Sequence, residues 1–421
     1  MSSREAPWLK IDPERRSVSI NSTDPGFYND PYAAYERIRP VSPAFYWEEQ
    51  RVWCFLNAAD VGAILRDRRF GREVLTLPGE PATEPRPAPA HVKAFHEVNR
   101  DSMLEREPPV HTRLRTLVNR AFVARNIERL RPRISALAHE LIDRMAPRHG
   151  AELIAAYAAP IPVVVIAELL GVPAEMSPKL LDWSHRMVAM FQLGRTRDME
   201  DGAEAATREF SGFLRGYFAE RRKRPADDLI SHLLAAEATG ERLSEDEMVA
   251  TCILLLNAGH EGTVHSIGNA VKTLLEEKTD LRAAFATDAA TEATVEECLR
   301  FDPPLHMFSR YAQEDVEVAG VRLARGAEVA LLYGAANRDP ARYPRADVFD
   351  PKRPVQGSAS AHSSFGGGIH FCLGAPLARL ELQIALPVLF DRLPGIFLRE
   401  RPRYRDSFHF HGLEALNVSW R

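Results

Sequence analysis

Toward its C-terminal end the chain reads Phe365-Gly366-Gly367-Gly368-Ile369-His370-Phe371-Cys372-Leu373-Gly374, and a helix-like run from Ala375 to Leu393 follows directly. This stretch constrains the fold more than any other. Three consecutive glycines let a backbone turn tightly and approach a flat ligand, because they tolerate positive φ and carry no side chain to collide with it. A cysteine presented behind such a turn, with helix amides beginning just after it, sits where partial positive charge favours thiolate over thiol, the form that binds a metal. A glycine-rich surface turn beside an inert cysteine is the blander reading, and for an isolated Gly-rich stretch it is the commoner one.

The offsets of phenylalanine, glycine, histidine, cysteine and glycine are more restrictive than that, and the loop resembles the ligand signature of the cytochrome P-450 family of haem-thiolate monooxygenases. The resemblance implies haem b held by the Cys372 thiolate, with Phe365, His370 and Gly374 around it. It also implies a mainly α fold with small β-sheets, in which a long central helix crosses the haem.

Composition is compatible. Of 421 residues, 45% are hydrophobic and 27% charged, ordinary for a globular chain with material for an extensive core. Length alone points to roughly two or three domains, but one haem touching motifs spread along the sequence favours a single catalytic domain over 1–421, with 1–25 as a loosely packed N-terminal arm. With 54 basic and 58 acidic residues the net charge is −4, so nothing global points to nucleic acid or an anionic membrane. The first residues show neither a signal-peptide core nor a spanning helix, so a cytoplasmic location is expected. Cys54, Cys252 and Cys298 form no CxxC or zinc spacing and read as small packing residues.

Along the chain, Ala44 to Leu56 has strand composition and Asn57 is placed to cap a short helix, Ala58 to Arg66. The proline-rich segment from Pro78 to Pro89 reads as a loop. From Thr112 to about Leu275 the apolar spacing is helical. The longest helix is predicted to start at Ser244, where Ser244-Glu245-Asp246-Glu247 forms a capping box, and to run to near Glu277, about 50 Å. A shorter helix ends near Arg300, and the runs at 315–318 and 328–332 predict a second small sheet.

Within the long helix, Ala258-Gly259-His260-Glu261-Gly262-Thr263 contains two glycines costing about 1 kcal/mol each relative to alanine. Close helix packing accounts for such a stretch as readily as a ligand does. The P-450 pattern, alanine-glycine-any-acid-threonine, implies that Ala258 and Gly259 lie against the haem and that Glu261 relays protons toward the dioxygen side. The alcohol expected next is replaced by Gly262. Thr263 comes one residue later, rotated by about 100°, and so does not take the same place; water or a polar substrate group is expected to stand in for it.

The resemblance also implies propionate contacts from His111 and Arg115, four apart on one helical face, and from Arg310. Glu297 and Arg300 match the family's structural Glu-any-any-Arg pair. Its usual third arginine is missing, since Val348 precedes Phe349, and Arg353 is a candidate replacement. Around the distal pocket the resemblance places Met187, Phe191, Leu305, Met307, His409 and Phe410, with His306, His409 or His265 as candidate polar anchors. The implied activity is insertion of one oxygen atom from dioxygen into a small-to-medium apolar or aromatic substrate. Electrons would come from a separate ferredoxin and ferredoxin reductase, with NAD(P)H as ultimate donor, docking near Cys372 where Arg113 and Arg379 could contribute. The alternatives are a peroxide-driven haem-thiolate peroxygenase and a non-enzymatic haem-thiolate sensor.

Overall fold

The computed structural model describes residues 6–73, 89–238, 243–353 and 362–421; the proline-rich segment, apart from its last residue, lies outside them. The chain forms two compact units: one from 1–79, 265–372 and 395–421, the other from 80–264 and 373–394.

The first unit is organised by a seven-stranded mixed sheet. Its strands run in the order Leu9–Asp12, Ser17–Ile20, Ala44–Trp47, Val52–Phe55, Glu328–Leu332, Met307–Ala312, Phe70–Gly71. Two expectations change here. The stretch Leu9–Ile20 is no loose arm, because Leu9, Val18 and Ile20 are buried as an antiparallel hairpin on the sheet. Glu328–Leu332 does not belong to a second sheet; it lies parallel to Val52–Phe55, with Ala330 opposite Cys54, while Val316–Val318 and Val321–Leu323 form the separate hairpin. Four consecutive buried residues in Glu328–Leu332 are what a strand covered on both faces requires. Phe55, Ile64, Leu65, Phe70, Val329, Leu331 and Tyr333 make one apolar cluster that fixes helix Ala58–Arg66 on the sheet.

That helix starts where expected, but Asn57 does not cap it. Its side-chain oxygen accepts from Arg39 at 2.8 Å, and the Ala58 amide donates instead to Asp339 at 2.8 Å. A tertiary carboxylate does the work of a local cap.

The second unit is helical. Arg131–Met145 packs against Ala375–Arg392, and Ser177–Val188 against Arg197–Lys223, where Trp183 stacks on Phe210 with ring centroids 4.9 Å apart. Arg133 grips Glu168 of helix Pro160–Leu170 through Nε and a terminal nitrogen, and the Tyr157 hydroxyl donates to the Ala385 carbonyl.

The long helix runs Glu245–Glu276, its residues through Val264 counted in the second unit. Its box forms as expected: the Glu247 amide donates to Ser244 Oγ at 3.1 Å and the Ser244 amide to Glu247 Oε2 at 2.9 Å. Glu247 also holds Arg113 from helix Val110–Asn119, so that guanidinium is engaged internally rather than offered to a partner.

Candidate functional site: a cysteine loop and a small-residue helix face

In the first unit the Gly-rich loop closes on itself, with the Cys372 amide donating to the Phe365 carbonyl at 2.9 Å and the Gly366 amide to Ser363 at 2.8 Å. Gly366 and Gly368 have φ of 68° and 67°, the left-handed region, whereas Gly367 is extended. Gly368 is irreplaceable on a second count. A Cβ there would stand 2.0 Å from the Leu65 carbonyl oxygen, so the loop lies directly on the end of helix Ala58–Arg66.

Cys372 is partly exposed, unlike the other three cysteines. Burial pushes the Cys252 thiol up to about 12 and raises those of Cys54 and Cys298 as well, which keeps all three as inert thiols. The first unit thus presents one cysteine able to act as a ligand.

Beside the loop stand two guanidinium groups and a phenol. Arg310, buried in strand Met307–Ala312, and Arg72 both draw the buried Tyr333 hydroxyl down, against a larger upward push from burial. The Tyr333 oxygen lies 3.3 Å from where a Gly366 side chain would begin. Arg72 additionally donates to Ser309 O at 2.8 Å and lies 4.4 Å from the Phe308 ring. Arg72 and Tyr333 carry no sequence motif, so only the fold exposes them.

Glu297 and Arg300 of helix Asp288–Phe301 are buried and paired through two contacts of 2.7 Å. Arg353 brings Nε to 3.3 Å of Glu297, and the Asp350 amide donates to it at 2.9 Å. Arg300 further donates to the carbonyls of Asn337, Ala346 and Val348. From Asn337 the network continues into the loop, its side chain bonding Ser364 Oγ and the Ser363 amide, each at 2.7 Å.

Also in this unit, Leu305 and Phe410 pair as an isolated bridge, His306 N donates to His409 O, and His409 lies with its ring 6.1 Å from Phe308. Burial drives the His409 pKa down to about 4, with Arg72 adding to the effect, so its imidazole is neutral. His306 is no substrate anchor. It is fully buried and held by the hydroxyls of Tyr35 at 3.0 Å and Tyr32 at 3.3 Å, and burial keeps it neutral. His265 is likewise enclosed, lying where any side chain at Gly412 would begin.

In the second unit, Ala258 is exposed midway along the long helix, and a Cβ at Gly262 would meet nothing within 4 Å. Together they form a flat patch one helical turn long. Gly259 is different: a Cβ there would sit 3.1 Å from Ile166 Cγ1 of helix Pro160–Leu170, so its missing side chain serves helix packing rather than a ligand. Thr263 is buried, and its hydroxyl draws down the pKa of Glu381 of helix Ala375–Arg392. Glu381 went unnoticed in the sequence. It is a fully buried carboxyl whose pKa burial lifts to about 8, opposed in part by Thr263, so at neutral pH it is mostly protonated. An acid set directly between Leu380 and Leu382 was the available signal.

Glu261 is not a solvated glutamate. It is buried, with Oε1 3.3 Å from His185 Nε2 and 3.6 Å from His260 Nε2. His111 is buried at the start of helix Val110–Asn119, and Arg115 lies half-buried one turn on, on the same face. Met187 is buried with its sulfur 3.7 Å from the Asn257 amide nitrogen, while Phe191 is 40% exposed and faces Phe95.

In the first unit, a cysteine on a glycine turn near two guanidinium groups is the chemistry a dianionic, thiolate-ligated cofactor needs, and in the second unit the patch of Ala258 and Gly262 is a surface a flat group can lie on. That describes the haem-thiolate proteins. The family model for cytochrome P450 matches residues 63–279 and 289–394, and the chain belongs to that family.

Among its relatives, it is 34% identical over 407 residues to a biotin biosynthesis cytochrome P450 of Bacillus subtilis (strain 168), covering 96% of this chain and all of that one. It is 38% identical over 396 residues to mycinamicin IV hydroxylase/epoxidase of Micromonospora griseorubida, covering 92% and 94%. The crystal structure of P450BioI in complex with hexadec-9Z-enoic acid ligated acyl carrier protein superposes with a TM-score of 0.86 at 35% identity, covering 94% of this chain and all of that one. The protein is therefore an oxygen-incorporating oxidoreductase of mainly α fold, with haem b as cofactor. Among the described residues no helix is long and apolar enough to cross a membrane.

Proposed function

We propose that Cys372 is the axial ligand of the haem, and that the enzyme inserts one oxygen atom into a small-to-medium apolar or aromatic substrate, with electrons from a separate ferredoxin and its reductase in the cytoplasm. The carrying observation is the loop geometry: the Cys372 amide tied to Phe365 O, two left-handed glycines, and a sulfur spared the burial that silences the other three thiols. When bound, a thiolate-ligated haem supplies dioxygen activation strong enough to attack unactivated C–H bonds.

The residues of this chain hold and orient. Arg310, Tyr333 and His370 would donate to the propionates, the role the family resemblance also gives His111 and Arg115. Ala258 and Gly262 would leave a helix face free of side chains for a flat group. Glu261 takes and passes a proton at Oε1. Leu305, Met307, His409 and Phe410 offer an apolar wall with one neutral imidazole, which suits an apolar chain such as the acyl group in the P450BioI complex.

The test is the spectrum of the reduced, carbon-monoxide-bound protein, expected to show a red-shifted Soret band that Cys372→Ala abolishes. A band unchanged in that variant overturns the ligand assignment.

A peroxide-driven reaction is the second reading, favoured by one observation: Gly262 brings no hydroxyl to its position in the long helix. Gly262→Thr distinguishes the two. Less peroxide leakage and more product per electron from ferredoxin support the dioxygen route; turnover on hydrogen peroxide alone that matches the ferredoxin-supported rate supports the other.

A further inference from the structure

Around Glu261 three donors converge that the oxygenase reading does not use as a set. One ring nitrogen each of His185 and His260 and a carboxylate oxygen of Glu261 all lie within 4.8 Å of one another. We propose that these three residues bind a divalent transition-metal ion of the zinc type, with a water in the fourth position, and that its binding shuts off proton transfer through Glu261.

The distances fit the ion. Zinc bonds of about 2.0–2.1 Å in a tetrahedron set neighbouring donor atoms roughly 3.4 Å apart. Glu261 Oε1 already stands 3.3 Å from His185 Nε2 and 3.6 Å from His260 Nε2. The third pair of donors lies within 4.8 Å, and the His185 side chain, 52% exposed, can adjust and gives the ion its way in.

The orientation fits as well. His260 Nδ1 lies 2.8 Å from the Leu256 carbonyl, which only accepts, so Nδ1 carries a hydrogen and Nε2 is the nitrogen left to take a metal ion. In the neutral imidazole the Nε2 lone pair meets the Glu261 carboxylate, acceptor against acceptor, at a fully buried ring whose Nε2 has no hydrogen-bond partner. A cation between the two removes the conflict. The Leu256 contact is the outer bond that metal-bound imidazoles use to fix their tautomer. Two imidazoles and one carboxylate select zinc, or its neighbours among the transition metals, over calcium and magnesium, which require oxygen ligands.

The inhibitory half rests on the reading of Glu261 as proton carrier; the binding half does not. The experiment separates them, using tag-free holoenzyme freed of adventitious metal. Equilibrium dialysis against zinc chloride is expected to give one tight equivalent in the wild type. In His185→Ala, a surface change compatible with folding, affinity should fall at least tenfold, since even an outer partner of a metal ligand is worth about 10- to 100-fold. X-ray absorption at the zinc edge should report two imidazole ligands. No tight zinc, or equal affinity in the variant, overturns the site. Zinc should also lower product formation in the wild type, and far less in His185→Ala, each compared with its own zinc-free rate. If zinc binds as expected and product formation is unaffected, the site stands and the proton-carrying role of Glu261 falls.

Discussion

Glu381 offers the sharpest test of the buried electrostatics. Its carboxyl ionises at about 8 in the folded protein against 4.5 when unperturbed, because burial penalises the charged form more than Thr263 compensates. The sign follows from proton binding. Between those two values the folded state holds a proton that the unfolded state has released, so stability is full below about pH 4.5, falls as pH rises, and levels off above about 8. The slope is about 1.4 kcal/mol per pH unit, giving on the order of 3 kcal/mol lost by pH 7 and about 5 kcal/mol above pH 8. Glu381→Gln keeps the shape of the protonated acid and cannot ionise. Urea unfolding of holoenzyme and variant, each at pH 6, 7, 8 and 9, should show the glutamine variant's relative stability climbing from pH 6 to pH 8 by roughly 2–3 kcal/mol and then flattening. A difference that stays constant across the series would mean that Glu381 is ionised in the folded protein, and the assignment of a neutral buried acid beside Thr263 would be wrong.

Two glycine substitutions test the two halves of the site. Gly368→Ala meets both a φ of 67° and the Leu65 carbonyl at 2.0 Å, so it should lower haem retention after gel filtration and destabilise by more than the roughly 1–2 kcal/mol of the left-handed conformation alone. Gly194→Ala is its control, with a φ of 76° and nothing within 4 Å; equal losses in the two variants would refute the close approach. Gly262→Ala should instead stabilise, by about 0.5–1 kcal/mol in urea, since helix propensity rises and the new methyl meets no atom within 4 Å. A loss of stability there would show that the patch is not open.

How much could be read in advance depended on sequence distance. The cap of the long helix was legible because Ser244 and Glu247 are three residues apart and satisfy each other. The cysteine loop was legible for the same reason, its closure running from Cys372 to Phe365. Asn57 had the right chemistry and the wrong partner, because Arg39 claimed its oxygen and Asp339 the helix amide. Strand composition showed that 328–332 would be extended, but nothing local indicated a parallel pairing with Val52–Phe55. Thr263 and Glu381 come together across two helices, as do His185 and Glu261. Such pairs carry much of the site's electrostatics, and no spacing rule reaches them.

The ties around Arg300 have a bearing on how this sequence can drift. Its guanidinium grips Ala346 and Val348 through main-chain oxygens, which every amino acid possesses, so the brace itself makes no demand on either side chain. The guanidinium has no such freedom: lysine offers a single point charge where a fork reaching three carbonyls and a carboxylate is needed. Tolerance is thus distributed unequally within one network, permissive at the residues being held and strict at the residue that holds them.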